Sequence, residues 1–186
     1  MKKFSLLLLA AVVTMTACKK DEPEEPEVPN EEEVITTLIY TLTPDGGGDA
    51  VVLTYQDLDG EGGNDGTYNV APLAANASYS GSIQVLNEIE DPAEDITEEV
   101  AEEDAEHQFF FAVDTANLTV TYDDADGNGN PVGLVTTVAT TDASTGTLTV
   151  TLRHEPNKDA SGVADGDITN AGGETDIEVT FEITIE

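Results

Sequence analysis

Two short acidic loops hold the residues best placed for chemistry: Asp124-x-Asp126-x-Asn128-Gly129 and Asp57-x-Asp59-x-Glu61-Gly62. Alternating oxygen donors followed by a glycine for the turn suit calcium, which takes about six to eight oxygens. Neither loop is an EF-hand, because the bidentate glutamate required at the twelfth position is replaced by Val135 in one and Tyr68 in the other. A looser calcium site would need oxygens from a neighbouring loop such as Asp165-Gly166-Asp167, and would bind at about 0.1 to 1 mM. The plainer alternative is an Asp and Gly turn that joins two strands and stays solvated.

The two histidines, His107 and His154, are each flanked by a carboxylate, in Glu106 and Glu155. Such a pair suits metal ligation or proton transfer. Two histidines apart in sequence are weak grounds for either, and a histidine at a strand end more often satisfies a turn. Carboxylate pairs of the glycosidase kind carry no information in a chain with 39 acids, since every pairing is available. The sequence lacks a nucleophile elbow, a zinc-helix motif and a phosphate loop. The expectation is a chain that is not an enzyme.

Charge narrows the partners. Six Lys and Arg against 39 Asp and Glu give a formal net charge of −33, and past Lys20 the only bases are Arg153 and Lys158. Nucleic acid and anionic lipid surfaces would be repelled. The self-repulsion calls for screening salt or bound cations. With one cysteine no internal disulfide can form, so a hydrophobic core must hold the fold.

The strands that would position these loops are plainly patterned. Leu148, Val150 and Leu152 alternate with threonines, and Ile177, Val179, Phe181, Ile183 and Ile185 alternate with Glu and Thr. One face is buried and the other wet. Leu38, Tyr40 and Leu42, then Leu118, Val120 and Tyr122, and less purely Ile83 and Val85, follow the same period. Phe109-Phe110-Phe111 reads as a central strand packed on both faces. Turn residues such as Pro44-Asp45-Gly46-Gly47-Gly48 fill the gaps. The pattern predicts an all-β, antiparallel, Ig-like β-sandwich of about eight to nine strands.

Thr54 to Gly62 recurs as Thr121 to Gly129, and Gly81 to Val85 as Gly146 to Val150, which suggests a duplicated unit; chance recurrence of Thr, Asp and Gly patterns is the alternative. Residues 92–106 break the β pattern. Asp91 as cap, Pro92 at the first helical position and the Ile96 and Val100 pair predict one short acidic helix, with an unstructured acidic bridge as the alternative.

The amino end gives an address. Lys2 and Lys3, the apolar run Leu6 to Val13, and Met15-Thr16-Ala17-Cys18 have the form of a secretory signal too short to span a bilayer. This stretch resembles the signal of bacterial lipoproteins, and Lys19-Lys20-Asp21-Glu22-Pro23-Glu24-Glu25 resembles the export tag of surface-exposed lipoproteins in Bacteroidota. Glu106 to Phe111 and Leu152 to Pro156 are similar to a family of small surface lipoproteins of that group. A type 1 periplasmic binding fold does not suit the chain, since it needs two α/β lobes with helical crossovers.

The resemblance implies acylation of Cys18 after removal of residues 1–17, an acidic Pro/Glu tether over 18–33, and a sandwich domain over 34–186 anchored at the outer membrane and facing the exterior. Anchoring on the periplasmic side is the alternative. The expected function is that of a non-enzymatic binding or adhesion module for a surface protein or glycan, calcium-stabilised if the acidic loops bind. An accessory subunit of an outer-membrane glycan or nutrient-capture complex ranks second. A carboxylate-dependent hydrolase ranks last.

Overall fold

The computed structural model describes residues 33–60 and 63–186; the signal segment, Cys18, the tether before Glu33, and Glu61 lie outside them. Ten strands and one α-helix follow in chain order among the described residues: β1 (Thr37–Pro44), β2 (Val51–Gln56), β3 (Thr67–Val70), β4 (Ser78–Asn87), β5 (Glu94–Asp95), α1 (Ile96–Glu102), β6 (His107–Asp114), β7 (Leu118–Tyr122), β8 (Val135–Thr140), β9 (Ser144–His154) and β10 (Glu174–Ile185). They form an antiparallel β-sandwich. One sheet runs β3-β2-β1-β4-β8-β7 with β5 added to β4, and the other runs β10-β9-β6. The count exceeds expectation because β3 and β5 are strands of four and two residues.

The period-two apolar rows meet between the sheets. Leu38, Tyr40 and Leu42 of β1, Ile83 and Val85 of β4, Leu148, Val150 and Leu152 of β9, and Val179, Phe181 and Ile183 of β10 are all buried in one cluster. Each such side chain contributes about 1.5 to 3 kcal/mol on burial, which is how a domain without disulfides holds together. Buried hydroxyls are matched: the Tyr40 hydroxyl lies 2.6 Å from Thr136 Oγ1, and Tyr122 donates to the Phe109 carbonyl at 2.8 Å. Burial accordingly pushes Tyr122 up to about 12.

Two expectations need correction. The Phe109 to Phe111 strand is not central: β6 is the edge of the smaller sheet. Its apolar run is explained by a second, small core, in which Phe110 packs on Val163 and Ala171 beneath the loop that joins β9 to β10, while Phe109 faces the main core. The helix is also shorter than expected. It begins at Ile96, and Asp95, not Asp91, caps it by accepting from the Thr97 backbone N–H. The Thr97 hydroxyl fixes this start by bonding to both backbone groups of Val85, and Ile96 and Val100 bury the inner face.

The sequence repeat has a partial counterpart in the pairing. β1 with β4 and β6 with β9 are equivalent ladders, as are β2 with β3 and β7 with β8. The third pairing differs, because β1 is bonded to β2 whereas β6 and β7 belong to different sheets. Both acidic loops leave strands that run in the same direction, toward the end of the sandwich where residue 33 enters.

Candidate functional site

At that end the last inward-facing row of the smaller sheet is not apolar. His107 pairs directly with His154 in the β6 and β9 ladder, two residues beyond the Phe109 and Leu152 pair, so both imidazoles share the core face. Their rings stack at 4.7 Å with 24° between planes. Two carboxylates complete the group. Glu33 Oε1 lies 3.0 Å from His107 Nε2, Glu33 Oε2 3.6 Å from His154 Nδ1, and Asp176 Oδ1 3.9 Å from the same His154 Nδ1.

All four side chains are between 0% and 6% exposed. One donor atom from each lies within 4.8 Å of the others.

Each member is placed by a local device. Asp176 would point outward in a regular strand, since Ile177 and Val179 point in. A bulge between Thr175 and Ile177 shifts the register at Asp176 and turns its carboxylate inward, which is what bulges do beside sites. Gly173, at φ 69°, lets β10 start against β9: a Cβ there would stand 2.1 Å from the His154 carbonyl oxygen. His107 is steered by α1, whose capping residue Glu103 offers its carbonyl to His107 Nδ1 at 3.3 Å. Glu33 lies in the lead into β1, held where Thr36 bonds to the Leu86 carbonyl through both its N–H and its hydroxyl.

The surroundings are acidic. Glu99 and Glu103 bring further oxygens within 4.8 Å of a Glu33 oxygen, and Glu106 and Glu155 do the same for His154 from the exposed side. Burial, then the charges of Glu33, Glu103 and Glu94, push Glu99 above the usual carboxylate range. A group of two imidazoles and two carboxylates in this geometry can bind a divalent cation or trap protons. Beside it, Val34, Ile35, Tyr55, Ile89, Asp176 and Ile177 line part of a cleft of about 460 Å³.

The acidic loops present a different picture. Both oxygens of Asp124 accept backbone N–H groups, from Gly133 at 2.7 Å and Val135 at 2.8 Å. Asp126 Oδ1 accepts from the N–H groups of Asn128 and Asn130, and its Oδ2 lies 3.2 Å from the ammonium of the buried Lys158. That ammonium also donates to the carbonyls of Asp104 at 2.5 Å and Pro131 at 3.0 Å. The neighbouring loop does lend a group to this one, but it is a cation and not a set of oxygens. Asp167, the expected donor there, instead accepts from the Thr169 N–H.

Burial alone would raise Asp126, but the Asn130 and Asn128 N–H groups and the Lys158 charge outweigh it and hold the carboxyl below its ordinary value. The cost falls on the lysine, whose burial pulls its ammonium downward against the attraction of Asp126.

In the first loop Asp57 Oδ1 accepts from the Asp59 and Gly60 N–H groups, and Asp59 Oδ2 from the Asn64 backbone and side chain. Those two bonds from Asn64 hold Asp59 below the usual carboxylate range. Glu61, the third expected ligand, lies outside the described residues.

Sequence reasoning singled out both histidines but gave them Glu106 and Glu155 as partners, and missed Glu33 and Asp176. One signal was available: His107-x-Phe109 and Leu152-x-His154 put both rings in phase with the buried rows. Comparison of the chain with protein-family models, with curated proteins and with solved structures returns no match.

Proposed function

We propose that this chain is a non-enzymatic binding or adhesion module, carried at the outer membrane on a lipid attached to Cys18 and presented outward on the acidic tether. The observation that carries this reading is the closure of the chemistry-bearing cluster. His107, His154, Glu33 and Asp176 turn their donors toward one another, buried to 6% exposure or less, so they brace the fold and offer little to a substrate. The described acids of the two loops are likewise spent on their own turns. Asp57 and Asp59 accept bonds within their loop, Asp124 accepts from Gly133 and Val135, and Asp126 accepts from Asn130 and Lys158, so this reading needs no calcium at either loop.

The test has two steps. Radiolabelled fatty acid incorporation should be lost in Cys18→Ala, and protease added to intact cells should cleave the acylated protein. A protein that stays acylated but protected until the outer membrane is broken would place it on the periplasmic side and overturn outward display.

A second reading, an accessory subunit for glycan or nutrient capture, is favoured by Tyr68. It stands 54% exposed on the edge strand β3, its ring 5.0 Å from that of Tyr55, and an exposed aromatic face suits sugar stacking. Glycan-array binding that Tyr68→Ala abolishes, or a co-purifying outer-membrane protein, would favour this reading over simple adhesion.

A further inference from the structure

We infer that Glu33, His107, His154 and Asp176 form a site for a divalent transition metal, zinc by preference, which clamps the two sheets together where the chain enters the domain. The inference does not depend on display at the cell surface. Either can fail without the other.

The first argument is electronic. If His107 is neutral and donates its Nδ1 proton to the Glu103 carbonyl at 3.3 Å, then Nε2 bears a lone pair, and that lone pair faces the Glu33 carboxylate at 3.0 Å. Two lone pairs at that separation repel unless a proton or a metal ion lies between them. Glu33 Oε2, in a side chain 6% exposed, accepts no hydrogen bond among the described residues and faces His154 Nδ1 at 3.6 Å. A divalent ion bonded to both rings and both carboxylates would lie between the His107 Nε2 lone pair and Glu33 and give Glu33 Oε2 a partner. Its two positive charges also match the two buried carboxylates.

The second argument is geometric. Zinc bonds of about 2.0 to 2.1 Å in a tetrahedron put neighbouring ligand atoms about 3.3 Å apart. Three contacts within the group measure 3.0, 3.6 and 3.9 Å, and one donor atom from each residue lies within 4.8 Å of the others, so side-chain shifts of about 1 to 1.5 Å bring the set to that spacing. The Glu103 carbonyl on the far nitrogen of His107 is the outer partner that ligating histidines commonly have.

Donor chemistry selects the ion. Two imidazoles with carboxylates suit zinc and its neighbours, whereas calcium and magnesium prefer oxygen alone.

The third argument concerns what the ion would join. Glu33 leads into β1 of the larger sheet, while His107, His154 and Asp176 belong to the smaller one. Four protein donors and burial describe a closed, structural site. An ion there would tie the point at which the tether leaves the domain to the opposite sheet, so that a pull on the tether would load metal bonds before it reached the β1 ladder.

The experiment is calorimetric titration of the untagged full-length chain, carrying Cys18→Ser so that no thiol competes, with zinc chloride in an excess of magnesium. The expected result is one zinc per chain in a step that magnesium does not displace. Glu33→Gln and His154→Ala should each weaken it at least about tenfold. If His154→Ala does not fold, Glu33→Gln and Asp176→Asn decide, since both keep the shape of the side chain. Zinc uptake that magnesium displaces, or that these variants leave unchanged, would assign binding to the acidic surface and overturn the site.

Discussion

The second acidic loop and the histidine cluster solve one problem in two ways. Each buries carboxylates in a chain of net charge −33, and each needs a positive charge to do so. Around Asp126 the chain supplies its own: Lys158, one of two bases past Lys20, places its ammonium among one carboxylate oxygen and two carbonyls. Around Glu33 the basic groups within 3.6 Å are the imidazoles of His107 and His154, whose ring nitrogens can bind a metal. A motif spaced for calcium is thus closed by an amine, while four residues scattered from 33 to 176 converge on a cation site that no spacing announces. In an acid-rich chain the informative carboxylates are the buried ones, and the question at each is what neutralises it.

The comparison can be broken most severely at Lys158. Replacing it with Met leaves Asp126 buried without its partner and should cost about 3 to 5 kcal/mol in urea unfolding. Adding Asp126→Asn should recover part of that loss, because the penalty lies in the orphaned charge. A Lys158→Met protein as stable as the parent would mean that the ammonium does not hold this loop.

The acid limb of the stability curve sharpens the same point. Asp126 is held below its ordinary value when folded, so its contribution is present above the ordinary aspartate range and disappears as pH falls through that range toward the folded value. Urea midpoints followed downward from about pH 5 should fall with acid, and less steeply in Asp126→Asn. The smallest effect is expected in the first loop. Asp59 is exposed and its carboxylate accepts from Asn64, and Asp59→Asn should change stability by no more than about 0.5 kcal/mol. A large loss there would show that the two acidic loops are alike after all.

Much of the sandwich was legible in the sequence, because β9 and β10 alternate cleanly and their registers place Leu148 opposite Phe181 and Val150 opposite Val179. The edge position of β6 was not, since a run of three phenylalanines looks the same whether its second face is covered by another layer or by one loop with Val163 and Ala171. The helix start was displaced because Asp91-Pro92 is an equally good local signal, and the choice of Asp95 rests on Thr97 meeting Val85, a tertiary contact. At the candidate site the histidines could be found by parity. Asp176 could not, because its inward turn depends on a bulge, and Glu33 could not, because nothing separates it from Glu31 and Glu32 beside it.

The central claim, that one buried acidic group is neutralised by the chain's own lysine and the other by a metal, is tested most directly by thermal unfolding of the Cys18→Ser chain. Zinc, calcium and chelator would be compared at matched ionic strength. A ligand at a hundred times its Kd adds about 2.7 kcal/mol, which for a chain of this size is a rise of roughly 5 to 11 °C. The account predicts that rise with zinc, its loss in Glu33→Gln, and no calcium effect beyond ionic strength. A rise specific to calcium and abolished by Asp124→Asn, with none from zinc, would contradict it and return the binding to the acidic loops.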